Sequence, residues 1–184
     1  MTEQTTIQVS DVSDPDLRRA AQLVREVPDF PEPGVLFRDI SPVLADGAGL
    51  RAVVSALGRD CEFDVVAGVE ARGFLVGAAV AQAHGTGVVA LRKPGKLPVV
   101  ADRVDYALEY GRATLELPAD TLRAGQRVLI VDDVLATGGT LGAACRLVRQ
   151  AGAEVAAAAV VLELTALGGR DKVLGEEVRA LLRA

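Results

Sequence analysis

Val128-Leu-Ile-Val-Asp-Asp-Val-Leu-Ala-Thr-Gly-Gly-Thr140 is the stretch that decides the fold of this 184-residue chain. Its first four residues, Val128 to Val131, are apolar and partly β-branched, with no alternation of polarity. That is the pattern of a parallel strand buried on both faces. Paired carboxylates follow at Asp132 and Asp133, and a small-residue turn runs through Ala136, Gly138 and Gly139. Beyond the turn Leu141, Ala144, Cys145 and Val148 recur at helical spacing up to Gly152, which predicts an amphipathic helix over 140–151.

A turn that opens a helix presents unpaired backbone N–H groups carrying roughly half a positive elementary charge. Gly138 and Gly139 let the main chain close on a phosphate without Cβ obstruction, and Thr137 and Thr140 add hydroxyl donors. Asp132 and Asp133 cannot bind that phosphate, so they suit a group rich in hydroxyl donors, such as the 2- and 3-hydroxyls of a ribose. The bland alternative is an acidic strand end followed by an ordinary turn and cap. A nucleotide P-loop would end in Gly-Lys-Ser/Thr and a dinucleotide fingerprint would read G-x-G-x-x-G; the stretch has neither. The pattern points to a ribose phosphate.

The length suits one domain with a single core, expected over residues 13–184 after a disordered tail over 1–12. Half of the residues are hydrophobic but only 3% are aromatic, so Ala, Val and Leu must build the core by close packing. A net charge of −5 argues against nonspecific nucleic-acid binding, which needs a basic surface. Cys61 and Cys145 lack metal-ligand spacing and read as reduced core residues. No secretory signal opens the chain and no apolar run reaches membrane-span length, so a cytoplasmic protein without membrane partners is expected.

Along the chain, Asp14-Pro15 caps a helix expected to run to about Val27, and Pro28, Pro31, Pro33 and Gly34 then exclude regular structure. A helix over 49–59 precedes a buried strand over 63–69; a helix over 74–83 closed by His84-Gly85 precedes a strand over 87–91. Val104, Tyr106 and Leu108, then Leu115 and Leu117, alternate like a hairpin inside a long excursion from Arg92 to Asp120. A last strand spans 155–162, and the closing segment from Asp171 reads as a helix or as a strand plus helix. Strands alternating with helices imply an α/β fold, with a mostly parallel central sheet flanked by helices and ligands bound beyond the strands' carboxyl ends.

Three polar loops fall at such ends: Glu70 to Gly73, Arg92 to Lys96, and the acidic turn. Arg72 can fork onto a phosphate or pyrophosphate, its alternative being a surface salt bridge with Glu70. Arg92, Lys93 and Lys96 form the densest cationic cluster in an acidic chain, as a pyrophosphate leaving group would require; a solvated loop is the alternative. His84, the sole histidine, has no nucleophile motif beside it and reads as a helix cap. Glu109, beside Tyr110 in the excursion, is a candidate for proton handling on a mobile lid. Leu36, Phe37 and Arg38, between rigid prolines, form either a plain connector or an apolar shelf for a base, read by main-chain groups with Phe37 stacking.

From about Pro28 to Asp171 the chain closely resembles the adenine phosphoribosyltransferases, a branch of the type I phosphoribosyltransferases. The resemblance is carried by Phe30-Pro-Glu-Pro-Gly-Val-Leu-Phe-Arg-Asp-Ile40, Gly68-Val-Glu-Ala-Arg-Gly-Phe74, Arg92-Lys-Pro-Gly-Lys-Leu-Pro98, Leu108-Glu-Tyr-Gly111 and the stretch from Val131 to Thr140. It implies a type I phosphoribosyltransferase-like fold with a flexible hairpin lid over 96–110 that includes Tyr106 and Tyr110. The implied reaction moves the phosphoribosyl group of 5-phosphoribosyl 1-pyrophosphate to N9 of adenine, giving AMP and pyrophosphate. Magnesium rides on the substrate, with no dedicated protein metal cage. Ala136 to Thr140 would hold the 5-phosphate, Asp132 and Asp133 the ribose hydroxyls, and Arg72, Arg92, Lys93 and Lys96 the pyrophosphate. Leu36, Phe37 and Arg38 would hold adenine, and Glu109 would act on the purine as N9 attacks.

The resemblance also implies a homodimer in which part of the cationic loop serves the partner's site. Asp105 departs from the family's usual small hydroxyl residue before the lid tyrosine and adds negative charge there. The rival readings are an enzyme for another base, and a noncatalytic regulator that senses the ribose pyrophosphate.

Overall fold

The computed structural model describes residues 7–107, 111–173 and 175–184. The chain enters the sheet earlier than expected: β1 (Gln8–Val9), placed in the tail by composition, pairs antiparallel with the last strand. Asp14 caps α1 (Pro15–Leu23) by accepting the N–H groups of Asp16 and Leu17, both at 3.0 Å. That helix stops short of Val27. Arg25 to Pro28 instead forms β2 (Arg25–Pro28), which pairs with β3 (Leu36–Asp39) across the proline turn. Directly opposed residues fasten this ribbon: Arg25 with Asp39 at 2.6 Å, and Glu26 with Arg38 at 3.1 Å.

Two helices follow, α2 (Ser41–Ala45) and α3 (Gly47–Leu57), then β4 (Val65–Val69), α4 (Arg72–Ala83) and β5 (Gly87–Leu91). His84 ends α4 as its cap residue and packs its ring on Phe63, with centroids 5.2 Å apart. The excursion is a hairpin of β6 (Val100–Ala107) and β7 (Arg112–Pro118). After it come β8 (Arg127–Leu135), α5 (Gly139–Gln150), β9 (Glu154–Glu163), two 3-10 turns, and β10 (Val178–Arg183). Among its described residues the closing segment therefore holds a strand and no α-helix, because Ala180, Leu181 and Leu182 are buried in a strand between β9 and β1.

The main sheet has the order β1-β10-β9-β8-β4-β5, parallel except for β1. Alternate residues of each inner strand face opposite cores. Val128 and Ile130 of β8 point toward α5 and the hairpin, while Leu129 and Val131 point toward α1, α3 and α4. Cys145 is buried in the first core, where burial pushes its thiol up to about 12, and Cys61 is half-buried; both are free. No helix among the described residues is long and apolar enough to cross a membrane.

Of the flexible hairpin lid expected over 96–110, the structure describes residues 96–107. Val104, Tyr106, Leu115 and Leu117 are core residues, so the hairpin's stem is packed against α5 and the sheet. Apolar alternation, the signal that revealed the hairpin, is also what glues it down.

Gly73 fixes how close α4 comes to β8. A Cβ there would lie 2.9 Å from the Val131 carbonyl oxygen and 3.0 Å from Asp132 Oδ1. Gly73→Ala must therefore push the helix from the strand that carries the acids. The expected loss is about 1–3 kcal/mol in urea unfolding; an unchanged midpoint would show that the contact is not constraining.

Candidate active site

The carboxyl ends of β4, β5 and β8 converge on a cavity of about 440 Å³. Its walls include Leu36 to Arg38, Arg72, Lys93, Asp132 and Asp133, and Thr140. A smaller recess of about 70 Å³, lined by Val134 to Leu141, shares Asp132, Ala136 and Thr140 with it. Segments far apart in the chain thus meet around one space.

Asp132 and Asp133 do not follow the strand, as the sequence suggested, but lie inside it, since β8 continues to Leu135 by pairing with β9. Each is only 8% exposed. Burial first, and then the neighbouring Asp133, push the Asp132 carboxyl well above the usual range, with Arg72 opposing. Asp132 Oδ1 accepts the Asp133 N–H at 2.8 Å. Arg72 Nε lies 2.7 Å from Asp133 Oδ2, an ion pair whose N–H is not aligned for a hydrogen bond. The partner of Arg72 is therefore Asp133 and not Glu70.

The cationic residues separate into two groups. Arg72 and Lys93 line the cavity. Arg92 sits a step behind, with Nε 3.4 Å from Glu70 Oε2 and its guanidinium 5.7 Å from the Phe74 ring centre. Lys96 is exposed and outside the cavity wall, and its contact is a main-chain carbonyl that accepts from Arg92 at 3.5 Å. Composition cannot separate such roles, because all four are cations in one loop or at one strand end. Glu70, considered only as a partner for Arg72, is a fixed part of the wall: the Lys93 N–H donates to it at 2.9 Å. Burial raises its carboxyl, but Lys93 and Arg92 outweigh that and leave it below its usual value.

The turn from Ala136 to Thr140 leads into α5 as expected, with Gly138 at φ +80 and no side chain capping the helix start. Those N–H groups therefore remain free to meet an anion. A Cβ on Gly139 would lie 2.9 Å from the Ala107 carbonyl oxygen, so the turn also seats the end of β6. Tyr106, expected in the lid, is 7% exposed and lines the cavity, and its phenolic oxygen accepts from the Thr140 hydroxyl at 3.2 Å. Asp105 is engaged as well, accepting from the Thr114 hydroxyl across the hairpin at 2.6 Å.

Leu36 and Phe37 form the opposite wall, on β3. Phe30 holds the Phe37 ring edge-on, with centroids 5.1 Å apart, and the Arg72 guanidinium stands 5.7 Å from the Phe37 ring centre. Arg38 is buried and tied to Glu26. Glu109 and Tyr110 lie outside the described residues.

Comparison with known proteins gives the family. Residues 57–177 match the model of the phosphoribosyl transferase domain. Adenine phosphoribosyltransferase of Saccharopolyspora erythraea is 78% identical over 97% of this chain and 98% of that protein. The crystal structure of adenine phosphoribosyltransferase from Thermoanaerobacter pseudethanolicus superposes with a TM-score of 0.87 at 43% identity, covering 91% of this chain and 99% of the other. The Giardia lamblia enzyme complexed with 9-deazaadenine gives 0.85 at 39% identity, over 91% and 97%. The chain belongs to the phosphoribosyl transferase family, among its adenine phosphoribosyltransferases.

Proposed function

We propose that this chain transfers the phosphoribosyl group of 5-phosphoribosyl 1-pyrophosphate to N9 of adenine, releasing AMP and pyrophosphate. The observation that carries the reading is one cavity bounded by an aromatic shelf, a buried acid pair and an uncapped helix start. These match the three parts of the substrates: base, ribose and phosphate. The relatives are named for the same transfer, and the Giardia enzyme was solved with 9-deazaadenine, an analogue of adenine with carbon in place of N9.

In this scheme Ala136 to Thr140 hold the 5-phosphate through backbone N–H groups, and Asp132 and Asp133 accept from the ribose hydroxyls. Arg72 and Lys93 receive the pyrophosphate as its bond to C1 breaks, with Arg92 reinforcing them through Glu70. Adenine stacks on Phe37, its edge read by main-chain groups of Leu36 and Arg38. N9 attacks C1, and Glu109 hydrogen-bonds or deprotonates the purine. The buried acids stabilise positive charge developing on the sugar.

Magnesium arriving on the pyrophosphate would neutralise that leaving group. The hard carboxylate oxygens of Asp132 and Asp133 suit an ion that keeps waters and phosphate oxygens. In this reading Lys96, exposed beyond the cavity, serves the site of a second copy of the chain in a homodimer. The enzyme works in the cytoplasm.

With magnesium present, AMP should form from adenine at least about 100-fold more efficiently than product forms from hypoxanthine, guanine or orotate. Preference for any of those bases would refute the assignment, and binding of the ribose pyrophosphate with no turnover on any base would favour the sensor reading. In the same assay Glu109→Ala should lose about 10²–10⁴ of turnover.

The acid pair makes a separate prediction. Because its raised carboxyl holds a proton more tightly in the folded chain, Asp132 favours folding most near and below the ordinary value of 3.8. That contribution falls as pH climbs toward the raised value. Asp132→Asn removes the titration, so the variant should unfold later in urea at pH 7 by about 1–2 kcal/mol. The gap should close toward pH 4, and a variant less stable than its parent at pH 7 would contradict the assignment.

A further inference from the structure

Two 3-10 turns, Thr165–Leu167 and Gly169–Lys172, lie directly behind the phosphate-binding turn and have no part in the scheme above. They contain no buried apolar side chain; Gly169 is their one buried residue. Against the phosphate-binding turn their closest contacts are with main chain. A Cβ on Gly169 would fall onto the Ala136 carbonyl oxygen, and a Cβ on Gly138 would fall onto the Gly169 carbonyl oxygen. Further along, a Cβ on Gly142 would lie 2.8 Å from the Lys172 carbonyl oxygen. Backbone rests on backbone here, so displacement of this segment passes directly into the N–H cradle.

Val173, buried just past the second turn, and Thr165, whose hydroxyl donates to the Ala184 carbonyl at 2.8 Å, hold the ends of this segment, and Arg170 fastens it between them. Its Nε donates to Glu163 Oε1 at 2.6 Å and its Nη2 to Oε2 at 2.8 Å. Its Nη1 donates to the Val178 carbonyl at 2.7 Å. Glu163 is the last residue of β9 and 4% exposed, and Arg183 Nε also lies 3.3 Å from its Oε2. A planar fork on a buried carboxylate sets position and orientation together, which a lysine cannot reproduce.

We infer that Arg170, clamped by Glu163, is a positioning residue for the 5-phosphate, bracing the Ala136–Gly139 turn from behind. The inference rests on the reading of that turn as the phosphate cradle. Arg170 touches neither the base shelf nor the acid pair, so its loss should act on phosphate capture and spare the rest of the site.

The test compares parent, Arg170→Met and Arg170→Lys by calorimetry with ribose 5-phosphate and by AMP formation with each substrate varied. Arg170→Met should weaken ribose 5-phosphate binding and raise the KM for 5-phosphoribosyl 1-pyrophosphate by about 10- to 100-fold. The KM for adenine and the saturated kcat should stay within about threefold, and Arg170→Lys should fall between Met and the parent. Unchanged phosphate binding in Arg170→Met would overturn the inference. So would an equal loss in both KM values and kcat, the mark of general damage. Should Arg170→Met not fold, the same split read in Arg170→Lys decides. A parent that binds no ribose 5-phosphate sinks the functional reading itself, whereas a parent and variant that bind alike sink only the brace.

Discussion

Two adjacent carboxylates buried within the carboxyl-terminal half of a central strand are an arrangement that folding alone would avoid, and the rest of the site is arranged around them. β8 reaches Asp132 and Asp133 only because β9 continues to pair with it after β4 has stopped at Val69. The acids are thereby held at a step in the sheet, with β9 on one side and a cavity on the other. Arg72, at the start of α4, supplies the opposing charge, and Gly73 beside it lets the helix come close enough to do so. Like charges in a poorly solvated place raise the energy of the free protein, a common cost of a preorganised site.

The parts around the acids are tied to one another by contacts that leave little slack. Tyr106 joins the hairpin to Thr140, the Ala107 carbonyl rests on Gly139, and Gly169 rests on Ala136. The phosphate turn is therefore touched by β6 on one side and by the 3-10 segment on the other. A cradle of N–H groups is effective only where its atoms are already in place, because reorganising them would consume the binding energy they provide.

Much of this was legible in the sequence, for physical reasons that differ by element. β8 and α5 declare themselves through a doubly buried apolar run and a helical stripe. Val104, Tyr106, Leu115 and Leu117 reveal the hairpin through period-two alternation. The β2–β3 ribbon was missed, because cross-strand pairing between residues up to 14 apart overrode the helical pattern that reached Val27. β1, two residues at the sheet edge, is too short to show a period, and β10 was misread because its buried run Ala180-Leu-Leu182 suits a helix as well as a strand. At the site, residue types singled out Arg72, Lys93, Asp132 and Asp133, which line one cavity, while the partner of Arg72 and the outlying place of Lys96 depend on geometry.

In the proposed reaction the turn from Ala136 to Thr140 grips a phosphate while the acid pair grips the attached ribose. A crystal structure of the protein with ribose 5-phosphate tests this directly. Phosphate oxygens are expected within hydrogen-bonding distance of the backbone N–H groups of Thr137 to Thr140, and sugar hydroxyls on Asp132 and Asp133. A sugar phosphate bound elsewhere, with that turn empty, would contradict it.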